Sequence, residues 1–563
     1  MPYRAPVSEI QFLLEHVIDF AGIAATDRFA EATPDTVAAI LGEAGRLCDE
    51  VLAPLQRVGD IERARLENGV VRTPTGYGDG YRAVAEGGWI GIAADPEHGG
   101  MGLPLTLASG VNDMMAGACL SLQLGPLMSQ GAIEALSHHA APELQALYLP
   151  RLVSGEWCGT MNLTEPQAGS DVGALRTRAE PADDGTYRIT GEKIYITWAD
   201  NDFTENVCHL VLARLPDAAP GSKGISLFLV PKRLPDADGR PGAANALRVV
   251  SLEHKLGLHG SPTAVMAYEG ATSWLVGPPH GGLAAMFTMM NNARLGVGLQ
   301  GIGVAEAALQ LALGHASERR QGRAGGEGTI IEHADVRRML AQMKAETFAA
   351  RAIALDCARA IDMETATGAP EWSARAALLT PVAKAFGTDT GFDVASTGVQ
   401  VHGGMGFIEE TGAAQYLRDV RVTSIYEGTN GIQAMDLVGR KLADGGAAML
   451  ALIDEVAEAA RGAELSELAA PVAQAAEALR GATEALVAAP PEARFAGAVP
   501  YLRAVARVLG GHYHLRAARS GVPARVKLAR FYVARLLPEH AALLAGIGDA
   551  DAVLDLAPEE LRA

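Results

Sequence analysis

The sequence predicts a mainly α-helical protein with one β domain set in the middle of the chain. Apolar residues recur at helical spacing before about residue 155. Short β-prone runs separated by turn residues fill 156–280, and long helical patterning returns beyond them. The expected organisation is a helical N-terminal domain over 1–155, an antiparallel β domain over 156–280, a helical domain over 281–442 and an appended helical domain over 443–563.

The N-terminal reading starts at Thr33-Pro34, a capping residue followed by proline at the first helical position. Val37, Ile40, Leu41, Ala44, Leu47, Cys48 and Val51 then form one apolar stripe, with glycine punctuation at Gly87-Gly88 and Gly99-Gly100. After Trp157, strands are expected at Tyr187–Thr190, Lys193–Thr197, Val207–Ala213 and Ile225–Val230, with Asp183-Asp184-Gly185 as a hairpin turn. No strand–helix–strand alternation occurs, which argues against a doubly wound parallel sheet. From Gly282 the helices return, one carrying Val336, Met339, Leu340, Met343 and Phe348 on a single face. Beyond Arg440 the chain is alanine-rich, breaks at Pro490-Pro491 and resumes with the apolar run Phe531–Leu537.

Composition excludes some function classes. A formal net charge of −19 argues against a broad nucleic-acid surface, which needs clustered Lys and Arg. The five scattered cysteines, Cys48, Cys119, Cys158, Cys208 and Cys357, fit reduced thiols and a cytoplasmic protein. The first twenty residues carry too many charges for a secretory signal. Met114–Ile133 has no charged residue but holds Gln123, Pro126, Gln130 and several glycines, so a buried helix is expected and no integral membrane span.

Four stretches carry candidate chemistry. In Tyr426-Glu427-Gly428-Thr429-Asn430-Gly431-Ile432-Gln433, a carboxylate beside glycine can approach a substrate closely. Flanking Ile425 and Ile432 would bury it and raise its pKa, as a general base requires. Met161 to Asp171 contains Thr164-Glu165-Pro166 and Ala168-Gly169-Ser170, able to offer N–H groups and a hydroxyl to a polar ligand edge. Gln400-Val401-His402-Gly403-Gly404-Met405-Gly406 either cradles a phosphate or ends a helix. The basic run Arg319-Arg320-Gln321-Gly322-Arg323 either grips a pyrophosphate or is a solvated helix end. Taken singly, each has a plainer structural reading. Gly296-x-Gly298-x-x-Gly301 matches a dinucleotide fingerprint, but no strand precedes it, so close helix packing is the expected role. No HExxH, paired Cys/His set or GxSxG occurs, leaving metal hydrolysis and serine esterase chemistry without support.

Together, in this order, the pieces resemble the acyl-CoA dehydrogenase family from about residue 30 to 442. The resemblance rests on Thr164-Glu165-Pro166 with Ala168-Gly169-Ser170-Asp171, Lys193-Ile194-Tyr195-Ile196-Thr197 and Asn292-Ala293-Arg294. It also rests on Arg319 with Gln321, Gln400 with Gly403-Gly404-Met405-Gly406, and Ile425-Tyr426-Glu427-Gly428-Thr429. The N-terminal extra segment, Gly439-Arg440-Lys441 and the long C-terminal extension resemble the larger bacterial branch that includes 3-methylmercaptopropionyl-CoA dehydrogenases. The resemblance implies a four-helix bundle over 281–442, FAD as cofactor, a homodimer or homotetramer, and an electron-transfer flavoprotein as partner. It implies that Glu427 removes the α proton of an acyl-CoA while the β hydride passes to flavin N5. Met161, Leu163, Thr164, Gly169 and Ser170 would contact the flavin or the thioester, and Tyr195, Ile196 and Thr197 would pack on the isoalloxazine. Arg319, Gln321, Gln400, Gly403 and Gly404 would hold the neighbouring subunit's FAD, with Gly322 departing from the phenylalanine common there. Thr429 would touch the flavin, and Asn291, Arg294, Gly428 and Ser170 would lie on the substrate side. An oxidase on the same fold, or a non-catalytic flavin or acyl-CoA binding protein, are the competing readings. Glu rather than Asp at 427 counts against a nitroalkane oxidase.

Overall fold

Thr33 Oγ1 accepts the Thr36 N–H at 3.3 Å, so helix α1 (Pro34–Leu47) begins where its capping residue directs, and Val37, Leu41 and Ala44 are buried along it. The computed structural model describes residues 3–322, 326, 328–461 and 465–563. The chain divides into two compact units, one formed by Arg46–Leu103 with Ala118–Ala293, the other by Met1–Gly45, Pro104–Gly117 and Arg294–Ala563.

The first unit is built on a seven-stranded sheet. Its strands are β1 (Trp157–Asn162), β2 (Arg178–Pro181), β3 (Tyr187–Thr197), β4 (Asn206–Arg214), β5 (Ile225–Pro231), β6 (Leu247–Leu252) and β7 (Thr263–Val276). The order is β6-β7-β3-β2-β4-β1, and β5 closes the path by pairing with both β7 and β4. Ile189, Ile196, Val211, Phe228, Met266 and Tyr268 fill the sheet's core. The expected hairpin turn is present: the Ala182 N–H donates to Thr186 O at 2.9 Å, and Gly185 takes φ 79°.

Two expectations need correction. Tyr187–Thr190 and Lys193–Thr197 are one continuous strand, not two. Gly191 between them is no turn; a Cβ there would come within 2.5 Å of Thr177 Oγ1, so glycine lets β3 pass tightly beside its neighbour. The sheet is also not wholly antiparallel, because β1 pairs with β4 in parallel along Trp157–Asn162. The long connection between them, which includes β2 and β3, makes that direction possible.

The second unit contains most of helix α3 (Gly282–Glu318), with α4 (Ala334–Thr367), α5 (Pro370–His402) and the short α6 (Asn430–Asp436). Met339, Leu340, Met343 and Phe348 are buried on α4, as the periodicity predicts. The GxGxxG stretch is a helix-packing device. A Cβ on Gly298 would lie 2.6 Å from Ala383 O, and one on Gly301 only 2.4 Å from Gly387 O, so α3 and α5 meet backbone to backbone. Met114–Ile133 lies within helix α2 (Leu105–His139), whose backbone leaves helical geometry at Cys119, and nearly all of that stretch is buried. Among the described residues α3 is the helix long and apolar enough to cross a membrane, and 89% of its most apolar window is buried in protein.

The appended segment folds into α7 (Ala447–Arg461), α8 (Ser466–Ala488), α9 (Ala498–Ala518) and α10 (Pro523–Arg535), with shorter helical pieces around them. Tyr513 on α9 donates to Asp356 on α4 at 2.6 Å, and Arg507 pairs with Glu346, so α9 is fastened to the bundle by buried polar contacts.

Candidate active site

Glu427 sits in a short loop before α6, half-buried, with φ 57°. A glutamate in the left-handed region is uncommon and persists only where its surroundings impose it. Gly428 follows at φ 85°. Around this loop Tyr426 donates to Gln300 Oε1 at 2.5 Å, and Gln433 Nε2 reaches the carbonyls of Glu427 (3.3 Å) and Gly428 (3.4 Å). Lys384, fully buried on α5, donates to Gly428 O and Asn430 Oδ1, both at 2.9 Å. Asn430 in turn donates to Asp389 at 2.7 Å and Thr388 at 3.0 Å. Burial drives the Glu427 carboxyl up to about 7, against the opposing pull of Arg294 and Lys384. Burial likewise drives Lys384 down to about 7.

The source of that burial differs from the sequence expectation. Ile425 is 50% exposed, so it is not what dries the carboxylate. Arg294 on α3 is 6% exposed, and its guanidinium lies 4.0 Å from Asp436 on α6. Thr429 caps α6, its Oγ1 accepting the Ile432 N–H at 3.2 Å. Lys384, Asp389 and Gln300 were not singled out from sequence. Their only signal is polarity within otherwise apolar helical stretches, such as Pro381-Val-Ala-Lys384-Ala-Phe.

In the β unit a second loop leaves β1 through Leu163 and Thr164. Glu165 fastens it: Oε1 accepts Thr177 Oγ1 at 2.6 Å and the Thr177 N–H at 3.0 Å, and Oε2 accepts the Arg176 N–H at 2.7 Å. Lys193 on β3 donates to Glu165 Oε1 at 2.8 Å and Leu163 O at 2.9 Å. Burial alone would raise the Glu165 carboxyl, but the Lys193 ammonium and these donors hold it at about 2. The clamp leaves Met161 and Thr164 partly open and Gly169 and Ser170 exposed. On β3, Tyr195 takes φ 60° and is 60% exposed, with Thr197 half-buried nearby. Ile196 points its side chain into the sheet core, is 2% exposed and pairs with Ala264 on β7, so it offers a ligand no open surface. Asn291 is exposed on α3.

The remaining sequence candidates gather at one end of the bundle. His315 near the end of α3 stacks on His402 at the end of α5, with ring centroids 4.4 Å apart. That contact joins the helix ends bearing Arg319 and Gln321 to those bearing Gln400, Gly403 and Gly404, and all five are exposed. Gly403 ends α5 at φ 62°, and a Cβ on Gly404 would meet nothing within 4 Å. A guanidinium, two amides and bare backbone form a donor set suited to a pyrophosphate. Arg323, also in the basic run, lies outside the described residues.

Comparison with known proteins matches these segments in order. Family profiles match the acyl-CoA dehydrogenase N-terminal domain at residues 34–156, the middle domain at 160–271 and the C-terminal domain at 280–442. A profile described as acetyl-CoA dehydrogenase C-terminal like matches 449–557. The chain is 45% identical over 521 residues to 3-methylmercaptopropionyl-CoA dehydrogenase of Ruegeria pomeroyi, covering 89% of this chain and 88% of the relative. Two solved structures share the fold over nearly the whole chain. One is Caenorhabditis elegans ACDH-11 in complex with C11-CoA (TM-score 0.78, 23% identity, 98% of this chain and 96% of the other). The second is an acyl-CoA dehydrogenase complexed with FAD from Bacillus anthracis (TM-score 0.74, 20% identity, 100% and 94%).

Proposed function

The chain belongs to the acyl-CoA dehydrogenase family, and from that premise we propose that it desaturates an acyl-CoA thioester between its α and β carbons with Glu427 as the base. The observation that carries this reading is the Glu427 loop. A half-buried carboxylate held at about 7 in a left-handed backbone, with the Arg294 charge nearby, has the proton affinity a general base needs near neutrality. Glu427 takes the α proton onto its carboxylate. Among the described residues its backbone N–H has no hydrogen-bond acceptor, and it would donate to the thioester oxygen as charge develops there.

Bound FAD would supply the acceptor for the β hydride. Support for it comes from the FAD-bound relative and from two features of this chain, the exposed Tyr195 on a strand whose Ile194 N–H donates to Thr164 O, and the open Arg319, Gln321, Gln400, Gly403-Gly404 donor set. In this reading the latter set serves a second subunit of a homodimer or homotetramer, and an electron-transfer flavoprotein takes the electrons. The four segments 1–155, 156–280, 281–442 and 443–563 are the domains, and the location is cytoplasmic, in keeping with five free buried cysteines. The identity to the Ruegeria enzyme puts a thioether-bearing acyl-CoA among the substrates to try first.

The test is anaerobic titration of FAD-loaded protein with straight, branched and thioether acyl-CoAs, following flavin absorbance. Bleaching by at least one of them is expected. A flavin that none bleaches, or a chain that binds no FAD, overturns the proposal.

A further inference from the structure

We propose that Lys384 is a positioning residue for the reaction, holding the left-handed Glu427-Gly428 backbone in place and supplying the counter-charge that keeps Glu427 ionised before substrate arrives. This rests on the reading of Glu427 as the base.

Two successive residues in the left-handed region, one of them a glutamate, store strain that the neighbours must hold. The Gly428 carbonyl is where they do so, accepting from Lys384 Nζ at 2.9 Å and from Gln433 Nε2 at 3.4 Å. Lys384 is itself fixed, because its Cα would lie 3.3 Å from a Cβ on Gly298 where α3 and α5 meet. The second acceptor of its ammonium, Asn430 Oδ1, belongs to a side chain anchored on Asp389 and Thr388. Lysine, α5 and the loop therefore move together or not at all.

Lys384 is 0% exposed, and both its hydrogen-bond acceptors are neutral. Among the described residues no carboxylate lies within ion-pair distance of it. A fully buried ammonium held only by neutral acceptors is costly unless a nearby negative charge compensates it. The charges that act on it are Glu427 from the loop and Asp389 from α5, which favour its protonation, and Arg294 from α3, which opposes it. Around that set, Asp436 on α6 offsets Arg294 while pairing with Arg440, and Arg503 and Arg421 act on Asp389. Glu427 and Lys384 thus titrate as one pair, each favouring the charged form of the other.

The sign of the effect is fixed. Glu427 must be a carboxylate to accept the α proton, so flavin reduction rises with pH through its titration. Removing the Lys384 charge raises that midpoint, and the acid limb moves to higher pH. Lys384 lowers the Glu427 carboxyl alongside Arg294, so Lys384→Met should move the limb to higher pH. At a pH below the midpoint, each unit is a tenfold slower reduction, with acyl-CoA affinity little changed. Lys384→Arg, which keeps the charge, should leave the limb near its original position.

The experiment is anaerobic single-turnover flavin reduction across pH in wild type, Lys384→Met and Lys384→Arg, each FAD-loaded. Beside it, infrared titration without substrate follows the protonated Glu427 carboxyl, identified as the band missing in Glu427→Gln. Should Lys384→Met not fold, Lys384→Gln keeps a donor for the two acceptors without charge and takes its place. An upward shift in both readouts is the expected result. A limb and band that stay put in the uncharged variant overturn the proposal and leave Lys384 as a loop brace alone. Near-native reduction by Glu427→Gln would instead refute Glu427 as the base, a failure separate from that of Lys384.

Discussion

Two loops, one in each unit, are each fastened by a fully buried lysine, and the two lysines differ in what they touch. Lys193 donates to a backbone carbonyl, Leu163 O, and to a carboxylate, Glu165, in direct contact at 2.8 Å. Lys384 also donates to a backbone carbonyl, Gly428 O, but its second acceptor is the amide oxygen of Asn430. The consequence appears in the acids. Glu165, gripped by its lysine and four other donor groups, is held at about 2 and has no proton affinity left near neutrality. Glu427, influenced by a lysine that it does not touch, stays at about 7. A carboxylate whose lone pairs are all engaged is a structural clamp; one left unengaged beside a cation is available as a base.

The comparison is most sharply tested at its two acids and lysines. Glu427→Gln should keep the fold, FAD and acyl-CoA binding while flavin reduction falls on the order of 10²–10⁴-fold, since only the proton acceptor is lost. A near-native reduction rate would put the two loops in the same structural class. Lys193→Met should do the opposite, lowering stability by about 3–5 kcal/mol in denaturant titration by stranding Glu165, which is 4% exposed. The pH dependence has a definite sign. Because the folded-state value of Glu165 is depressed from 4.5 to about 2, its stabilisation is present above about 4.5 and fades as pH falls towards 2. The gap between wild type and Lys193→Met should therefore narrow over that acid window. A gap that widens there would mean that the pair is not the source of the stability.

How much of this was legible in the sequence depends on whether a residue's role is local. The capping Thr33, the hairpin at Asp183-Asp184-Gly185 and the helical stripe on α4 follow from neighbours in the chain, and all are where the pattern puts them. The GxGxxG stretch could be assigned to helix packing because the missing strand is also local information. Gly191 misled because a glycine that permits close passage of two strands looks the same as one that makes a turn. Ile425 misled because loop residues have no periodicity to say which side faces in. Lys384 was invisible for another reason. A lysine on the buried face of a helix reads as an error in the pattern until the loop 44 residues further on is seen to supply its acceptor.

A third test lies away from both lysines, where no burial holds the charge. Arg319→Ala should weaken FAD retention by about 1.5–3 kcal/mol, the scale of one charge-assisted contact, and lower dimer stability with it. Ultrafiltration for FAD and sedimentation for assembly read the two effects. Unchanged retention would leave Arg319 a solvated helix-end charge.

The smallest expected effect distinguishes two uses of one hydroxyl in the Glu427 loop. Thr429 Oγ1 accepts the Ile432 N–H at 3.2 Å and so caps α6. A hydroxyl has one proton to donate beyond the bonds it accepts, and among the described residues no acceptor takes that proton from Thr429. Loss of the cap alone predicts that Thr429→Ala lowers stability by about 0.5–2 kcal/mol, with FAD affinity unchanged. If the proton also goes to the flavin, the same variant loses FAD affinity as well, by a further amount of about 1 kcal/mol. Thr429→Ser keeps both the acceptor and the proton, and should restore stability and affinity together. Thermal melts and FAD dissociation constants on the two variants separate the cases. A stability loss in Thr429→Ala with wild-type FAD affinity would assign the hydroxyl to the helix alone, making the Glu427 loop's contact with the cofactor a matter of backbone.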